Sequence, residues 1–340
     1  MMTPFAHRLA AWQARHGRNH LPWQGNDPYR VWLSEIMLQQ TQVATVLQYY
    51  PRFLARFPDV ESLAAAADDD VLALWSGLGY YSRARNLHHA ARQVMDEYGG
   101  QFPRDRAGLE TLKGVGRSTA AAIAVFAFGQ KEAILDGNVK RLLARHAGIY
   151  GTPDQPATLA ALWAEAEARL PDDAATLRRY TQGLMDLGNG ICTRTRPRCG
   201  ECPVAADCYA YRHDATAALP EKRAKKPNPE RHTVMLLARC GDRLHLYRRP
   251  DRGIWRGLWS LPEYDSVAAA ETAAQTLGAI TARATLPAIT HKFTHYTLHI
   301  APFAVTIAAP ARAADWLPQQ EALAKGLPAP VRRLIDDHFR

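Results

Sequence analysis

Apolar side chains return every three or four positions through most of the first two hundred residues, the spacing of helices that bury one face. Over 29–47 the chain sets Trp32, Leu33, Ile36, Val43 and Leu47 close to that period, with Asp27-Pro28 ahead of them as a helix start. Further helical patterns cover 62–75, 83–98, 118–128, 139–146 and 158–170. From 232 onward the period shortens. The stretches 232–246, around Leu261 and 298–307 alternate or run apolar over strand lengths, with one helical segment at 267–277. Between the two regimes lies LPEKRAKKPNPER at 219–231, whose prolines and charges cannot close a core and read as a linker. The pattern predicts an all-α region followed by a separate α+β domain.

Composition fits two cores: 340 residues, 47 % apolar and 22 % charged. The longest apolar run, 119–128, is too short to span a bilayer and predicts a buried helix. Arg8, Arg15, His16 and Arg18 interrupt any apolar run at the N-terminus, so neither a secretory signal nor a membrane segment is expected, and the expected compartment is the reducing cytoplasm. Charge changes the picture more. Lys and Arg number 42 against 33 Asp and Glu, a formal +9. Between 192 and 232 nine Lys and Arg face five Asp and Glu, so the bias is partly local. A basic balance of this kind favours a polyanionic partner over a merely solvated surface when it coincides with a structured loop, and Arg194, Arg196 and Arg198 lie inside such a loop.

That loop is defined by Cys192, Cys199, Cys202 and Cys208, four of the five cysteines, within seventeen residues. The crowding predicts a shared metal centre rather than independent thiols, which would be an oxidation liability. Structural zinc usually pairs its ligands as two short clips, and ferredoxins carry a second CxxC; here one CxxC is flanked by two longer arms. Cys240 stands apart and is expected to be a small apolar residue in a strand.

Upstream, Leu112-Lys113-Gly114-Val115-Gly116-Arg117-Ser118 runs directly into the apolar helical stretch. Gly114 and Gly116 allow a hairpin to bring backbone N–H groups against an anion, with the following helix N-terminus adding its dipole. This turn resembles the helix-hairpin-helix of DNA repair enzymes, with Lys113 where many members carry proline. The cysteine spacing resembles the 4Fe-4S motif of the endonuclease III and adenine DNA glycosylase (MutY) families. The segments LSEIMLQQTQ at 33–42, LGYYSRARNL at 78–87 and LDGNV at 135–139 are similar to the adenine glycosylases in particular.

The resemblance implies a multidomain fold: an all-α glycosylase region over 1–218, with a six-helix module at about 24–132 and a 4Fe-4S module built from 1–23 and 133–212, then the basic linker 219–231 and a Nudix-like α+β domain over 232–340. It implies one 4Fe-4S cluster on the four cysteines. It implies base excision from double-stranded DNA at adenine paired with 8-oxoguanine or guanine, by a monomer working on the nucleoid. At position 118 bifunctional relatives carry a lysine whose amine attacks the sugar; Ser118 cannot form that imine, so no efficient lyase step is expected.

Hydrolysis of the glycosidic bond needs an acid for the leaving base and an anion beside the sugar cation. Glu35 has Val31, Trp32 and Leu38 at helical neighbour positions, a setting that would raise its pKa, whereas Asp136 lies in an Asp-Gly-Asn turn before a helix, which favours the ionised form. Periodicity alone does not show that positions 101 apart converge. The family resemblance assigns the Glu35 position to protonation of adenine N7, the Asp136 position to support of the sugar cation or its adduct, and Asn138 to assistance of that aspartate. It further assigns wedge roles at Gln40 and Tyr80, contacts to the opposite purine at Thr41 and Leu78, and an adenine contact at Gln182. Phosphate contacts are expected at Gly114, Gly116 and Ser118.

In the C-terminal domain Gly257, Glu263 and Gly278 stand at Nudix-signature spacing, but Thr272, Gln275 and Thr276 occupy positions where magnesium-binding glutamates are required, which weighs against a nucleotide hydrolase. Phe293-Thr294-His295 resembles the family's lesion-reading Phe-Ser-His loop. A histidine cluster or zinc site at His295, flanked by His291 and His299, is the alternative there, and a pyrimidine-specific glycosylase with lyase activity is the alternative for the helical region.

Overall fold

The computed structural model describes residues 3–223, 227–312 and 316–338. Helices occupy the chain through residue 212: α1 (Phe5–His16), α2 (Pro28–Leu38), α3 (Val43–Arg56), α4 (Val60–Ala64), α5 (Asp68–Trp75), α6 (Ser82–Tyr98), α7 (Arg106–Thr111), α8 (Arg117–Phe128), α9 (Gly137–Ala147), α10 (Pro156–Ala168), α11 (Ala174–Gly190) and α12 (Tyr209–Arg212). Asp27 does open α2, its carboxylate accepting from the Tyr29 and Arg30 amides. The predicted 29–47 helix, however, is two helices. Gln40 adopts a left-handed φ of 57°, which no continuing helix tolerates, and the chain turns before α3. The predicted 62–75 helix likewise divides into α4 and α5.

Packing divides the chain into two compact units, residues 1–64 with 89–224 and residues 65–88 with 225–340. In the first, α1 lies along α11; a Cβ added at Gly183 would stand 2.9 Å from Leu9 Cγ, so the glycine lets the two helices approach closely. Leu9, Ala121 and Ala122 of α8, Leu135, Val139, Leu142, Leu143, Leu162, Tyr180, Leu184 and Leu187 form one core. Trp32 and Phe102 pack at 5.2 Å, and the Tyr29 hydroxyl donates to the Phe57 carbonyl at 2.7 Å.

The second unit is built on β1 (Glu230–Cys240), β2 (Arg243–His245), β3 (Tyr247–Arg248), β4 (Trp259–Ser260), β5 (Glu263–Tyr264), α13 (Val267–Leu277), β6 (Ile280–Thr285), β7 (Ile289–Lys292), β8 (Thr297–Ile307), β9 (Trp316–Pro318), α14 (Gln319–Ala324) and α15 (Ala329–His338). The sheet runs β6-β8-β1-β2-β9, with β7 sharing the edge of β8 beside β6, and β5 sharing the edge of β1 beside β2; β3 and β4 pair separately. Only β1 and β8 run parallel among the described pairs. The 232–246 segment, expected to be strand, folds back at Gly241 (φ 57°) into the β1–β2 hairpin. Ala270 and Ala274 seat α13 against Leu236, Phe303 and Val305. Residues 65–88 join this unit through specific bonds: the Ser76 and Tyr81 hydroxyls donate to the Leu327 carbonyl at 2.9 and 2.8 Å, and Trp259 Nε1 donates to Asp69 at 3.2 Å. No helix among the described residues is long and apolar enough to cross a membrane.

Candidate active site

Glu35 stands in the third turn of α2 at the wall of an open cleft of about 850 Å³, entirely within the first unit. Val31 and Leu38 flank it there, as expected; Trp32 instead faces the core. The carboxyl group is pushed up to about 8, first by removal from water and then by the negative charge of Asp136. The two acidic positions therefore converge, and Glu35 holds its proton at neutral pH.

Asp136 caps α9. Its Oδ1 accepts from the Asn138 and Val139 amides, both at 2.8 Å. Leu135, immediately before it, donates its amide to Ser118 Oγ at 2.9 Å, so α8 and the aspartate loop are tied together. Asn138 Oδ1 accepts from Arg141 Nη2 at 2.9 Å, and the same guanidinium reaches the Gly188 carbonyl at 2.6 Å and the Cys192 carbonyl at 2.9 Å. Arg141 thus joins the loop of Asp136 to the first cysteine, a role no sequence pattern announced.

Across the cleft, Gln182 donates its amide to Asp186 Oδ1 at 2.9 Å, leaving the carbonyl end as the acceptor. Asp186, nearly buried, also accepts from the Arg18 backbone at 3.0 Å and its Nε at 2.7 Å. Arg18, Trp23, Phe126, Arg178, Arg179 and Met185 also line it, which sets apolar side chains beside cationic ones. Asp186 and the arginines were not singled out by sequence. An acid four residues beyond Gln182 on one helix was the available signal.

The expected hairpin lies between α7 and α8. Gly114 takes a φ of 84°, Gly116 caps α8 without any side-chain acceptor, and both are exposed. The first amides of α8 are open to an anion. Gln39 steadies the turn, donating to the Gly114 carbonyl and Thr119 hydroxyl at 3.3 Å each.

Gln40 is exposed and Thr41 half-buried in the loop after α2. In the second unit Leu78 is only 6 % exposed, whereas Tyr80, with a φ of 48°, is 48 % exposed. A core role for Tyr80 is thereby excluded. Its hydroxyl shares a 3.5 Å hydrogen bond with Thr294. Thr294 and His295 are exposed at the β7–β8 turn, while Phe293 packs on Tyr296 at 4.6 Å and on Trp255 at 5.2 Å. His299 does not join a cluster around His295. On β8 it faces away toward His232, and His291 packs instead against Trp255 and Phe293.

The four cysteines line one small pocket together with Leu142, Ile191, Pro197 and Val204. All four cysteines face this one pocket, so a single centre can take a ligand from each. Burial pushes the thiols of Cys199, Cys202 and Cys208 up, Cys202 to about 12, and their mutual repulsion adds to it, so the thiolates require a cationic centre.

A glycine hairpin at a helix start, two convergent carboxyls and an iron-sulfur loop define a helix-hairpin-helix DNA glycosylase, an enzyme of base excision repair. The profile of the HhH-GPD superfamily base excision DNA repair protein matches residues 33–167, that of the iron-sulfur binding domain of endonuclease III matches 192–208, and that of the NUDIX domain matches 233–337. The adenine DNA glycosylase of Buchnera aphidicola subsp. Schizaphis graminum is 33% identical over 98% of both chains, and the mouse adenine DNA glycosylase is 36% identical over 77% of this chain and 60% of its own length. Among solved structures, a thermostable thymine-DNA glycosylase aligns with a TM-score of 0.56 at 30% identity over 62% of this chain and 95% of its own. The chain belongs to the adenine DNA glycosylase family, and it carries that family's 4Fe-4S centre on Cys192, Cys199, Cys202 and Cys208.

Proposed function

We propose that this enzyme is a monofunctional adenine DNA glycosylase that removes adenine opposite 8-oxoguanine or guanine and leaves an intact abasic strand. The observation that carries the reading is the pairing of Glu35, protonated at neutral pH, with Asp136, held in place by two backbone amides. An adenine flipped out of the duplex would enter the cleft, where the Gln182 carbonyl accepts from the exocyclic amine and Glu35 gives its proton to N7. The C–N bond then breaks to neutral adenine. Asp136 supports the sugar cation until water adds and passes its proton to the Glu35 carboxylate, which restores the acid. Ser118, occupied with the Leu135 amide, offers no amine to trap the sugar.

Specificity for the opposite base is assigned to the second unit, through Tyr80 and the Phe293-Thr294-His295 turn, with Gln40, Thr41 and Leu78 contributing to the wedge and the opposite-purine contacts. The unit is not proposed as a nucleotide hydrolase, because the only acid on α13 is Glu271, already paired with Arg283 at 2.7 Å. The helical region alone resembles a thymine-DNA glycosylase of Aeropyrum pernix as closely, at 33% identity over 61% of the chain. The deciding assay is therefore base release from a duplex panel. Strand breaks at A:8-oxoguanine should appear only after hot alkali; breaks without alkali, or preferential release of thymine, would refute the reading. We assign it to a cytoplasmic monomer acting on DNA.

A further inference from the structure

The parallel pairing of β1 with β8 sets His232 directly beside His299, and their rings stack at 4.8 Å between centroids with 17° between planes. Glu230 lies two residues earlier on β1, hence on the same face of the sheet, with its Oε2 3.6 Å from His299 Nε2. One ligating atom from each of the three lies within 4.8 Å of those of the other two. Two imidazoles stacked in register beside a carboxylate have no packing reason to be there, since the same face toward the middle of β1 is filled by apolar side chains such as Val234 and Leu236.

Hydrogen bonding points the same way. His299 Nε2 is shielded from solvent yet has no hydrogen-bond partner, a costly state for a ring nitrogen in a stable fold. On the far side of that ring, Nδ1 lies 3.3 Å from the Thr290 hydroxyl. If Nδ1 carries the hydrogen and donates it to Thr290, the lone pair is on Nε2, aimed at Glu230. An outer-sphere partner on one nitrogen that frees the other as a ligand is the usual dress of a metal-binding histidine.

We propose that Glu230, His232 and His299 form a site for a divalent transition metal of the zinc class, separate from the cysteine-bound centre. Two imidazole nitrogens and one carboxylate oxygen are a borderline donor set suited to zinc, with copper and nickel as tight-binding substitutes, and the fourth position is left to water. Tetrahedral ligands around zinc stand about 3.4 Å apart, so the 3.6 Å between Glu230 and His299 needs almost no adjustment, whereas His232 must turn its ring out of the stack to bring a nitrogen to the same ion. Bound there, the ion would clamp the first residues of β1 to β8 at the place where the chain enters the sheet. The bond from the Thr297 amide to the Pro229 carbonyl at 2.8 Å extends the β1–β8 ladder at the same end.

The test uses the full-length protein with its iron complement intact, so that the cysteines are not available to zinc. Zinc is titrated against a chromophoric chelator, with iron content measured in parallel. The wild-type chain should take up one equivalent, and His232→Ala and His299→Ala should each weaken that uptake at least tenfold without changing the iron content. In a second measurement, independent of any variant, one equivalent of copper(II) is added to the wild-type protein; its electron paramagnetic resonance spectrum should show coupling to two imidazole nitrogens. No zinc uptake by the wild type, equal uptake by the wild type and both variants, or a copper spectrum without nitrogen coupling would overturn the proposal. None of these readouts depends on which base the enzyme excises.

Discussion

The Ser118 hydroxyl accepts the backbone amide of Leu135 at 2.9 Å, one residue before Asp136. The position at which lyase relatives carry an amine is here a structural acceptor that fixes the approach to Asp136. Ser118→Ala removes the acceptor and should cost about 1–3 kcal/mol, read as a lowered midpoint in urea. Ser118→Lys places an amine at the same spot, and should yield a borohydride-trapped DNA adduct together with strand breaks that need no alkali. A lysine variant with neither would show that the site excludes the amine from the sugar.

The pH dependence follows from the raised carboxyl of Glu35. As a general acid it works only while protonated, so excision should hold steady through neutral pH and fall about tenfold per pH unit above about 8. Stability carries the same signature. The folded chain keeps this proton to about 8 whereas an unfolded glutamate releases it near 4.5, so the folded state binds more protons between those values and its stability declines as pH rises across them. Glu35→Gln, which cannot ionise, should abolish excision, leave duplex binding intact and flatten that decline. Unchanged pH profiles in the variant would remove Glu35 from both roles.

Much of this could be read from the chain because it rests on local chemistry. The capping aspartates at 27 and 136, the apolar α8, the 267–277 helix and the cysteine loop are each specified within a dozen residues. The break after Leu38 was not legible, because the apolar period runs on through Val43 and Leu47 while the left-handed turn at Gln40 is imposed by a glutamine with no intrinsic preference for it. Nor was the placement of 65–88, whose ties to Leu327 and Trp259 span some 190 to 250 positions. The Glu230–His232–His299 group escaped notice for the same reason: strand register, not spacing, brings 232 and 299 together.

Arg141 bonds one carboxamide and two backbone carbonyls, at Asn138, Gly188 and Cys192. Arg141→Gln cannot reach all three, and leaves part-buried carbonyls without donors. Excision should fall about 10–100-fold, in line with losses of an outer-sphere partner, and absorbance near 400 nm per chain should drop as the cysteine loop loosens. Full retention of both would mean that the aspartate loop and the cluster loop hold their places independently.

Discrimination of the opposite base should separate cleanly from chemistry, since Phe293, Thr294 and His295 belong to one compact unit and Glu35 and Asp136 to the other. Phe293 is anchored by Tyr296 and Trp255, so Phe293→Ala disturbs the turn itself, while Thr294→Val removes only the hydroxyl that Tyr80 shares. A lost hydrogen bond to an exposed group is worth about 1 kcal/mol, or roughly fivefold in rate. Thr294→Val should therefore lower the A:8-oxoguanine to A:G rate ratio by about that factor, and Phe293→Ala by more, with single-turnover release at A:G unchanged in each. An equal loss on both duplexes would place the turn in general DNA binding, since only a group that touches the oxidised purine can favour one duplex over the other.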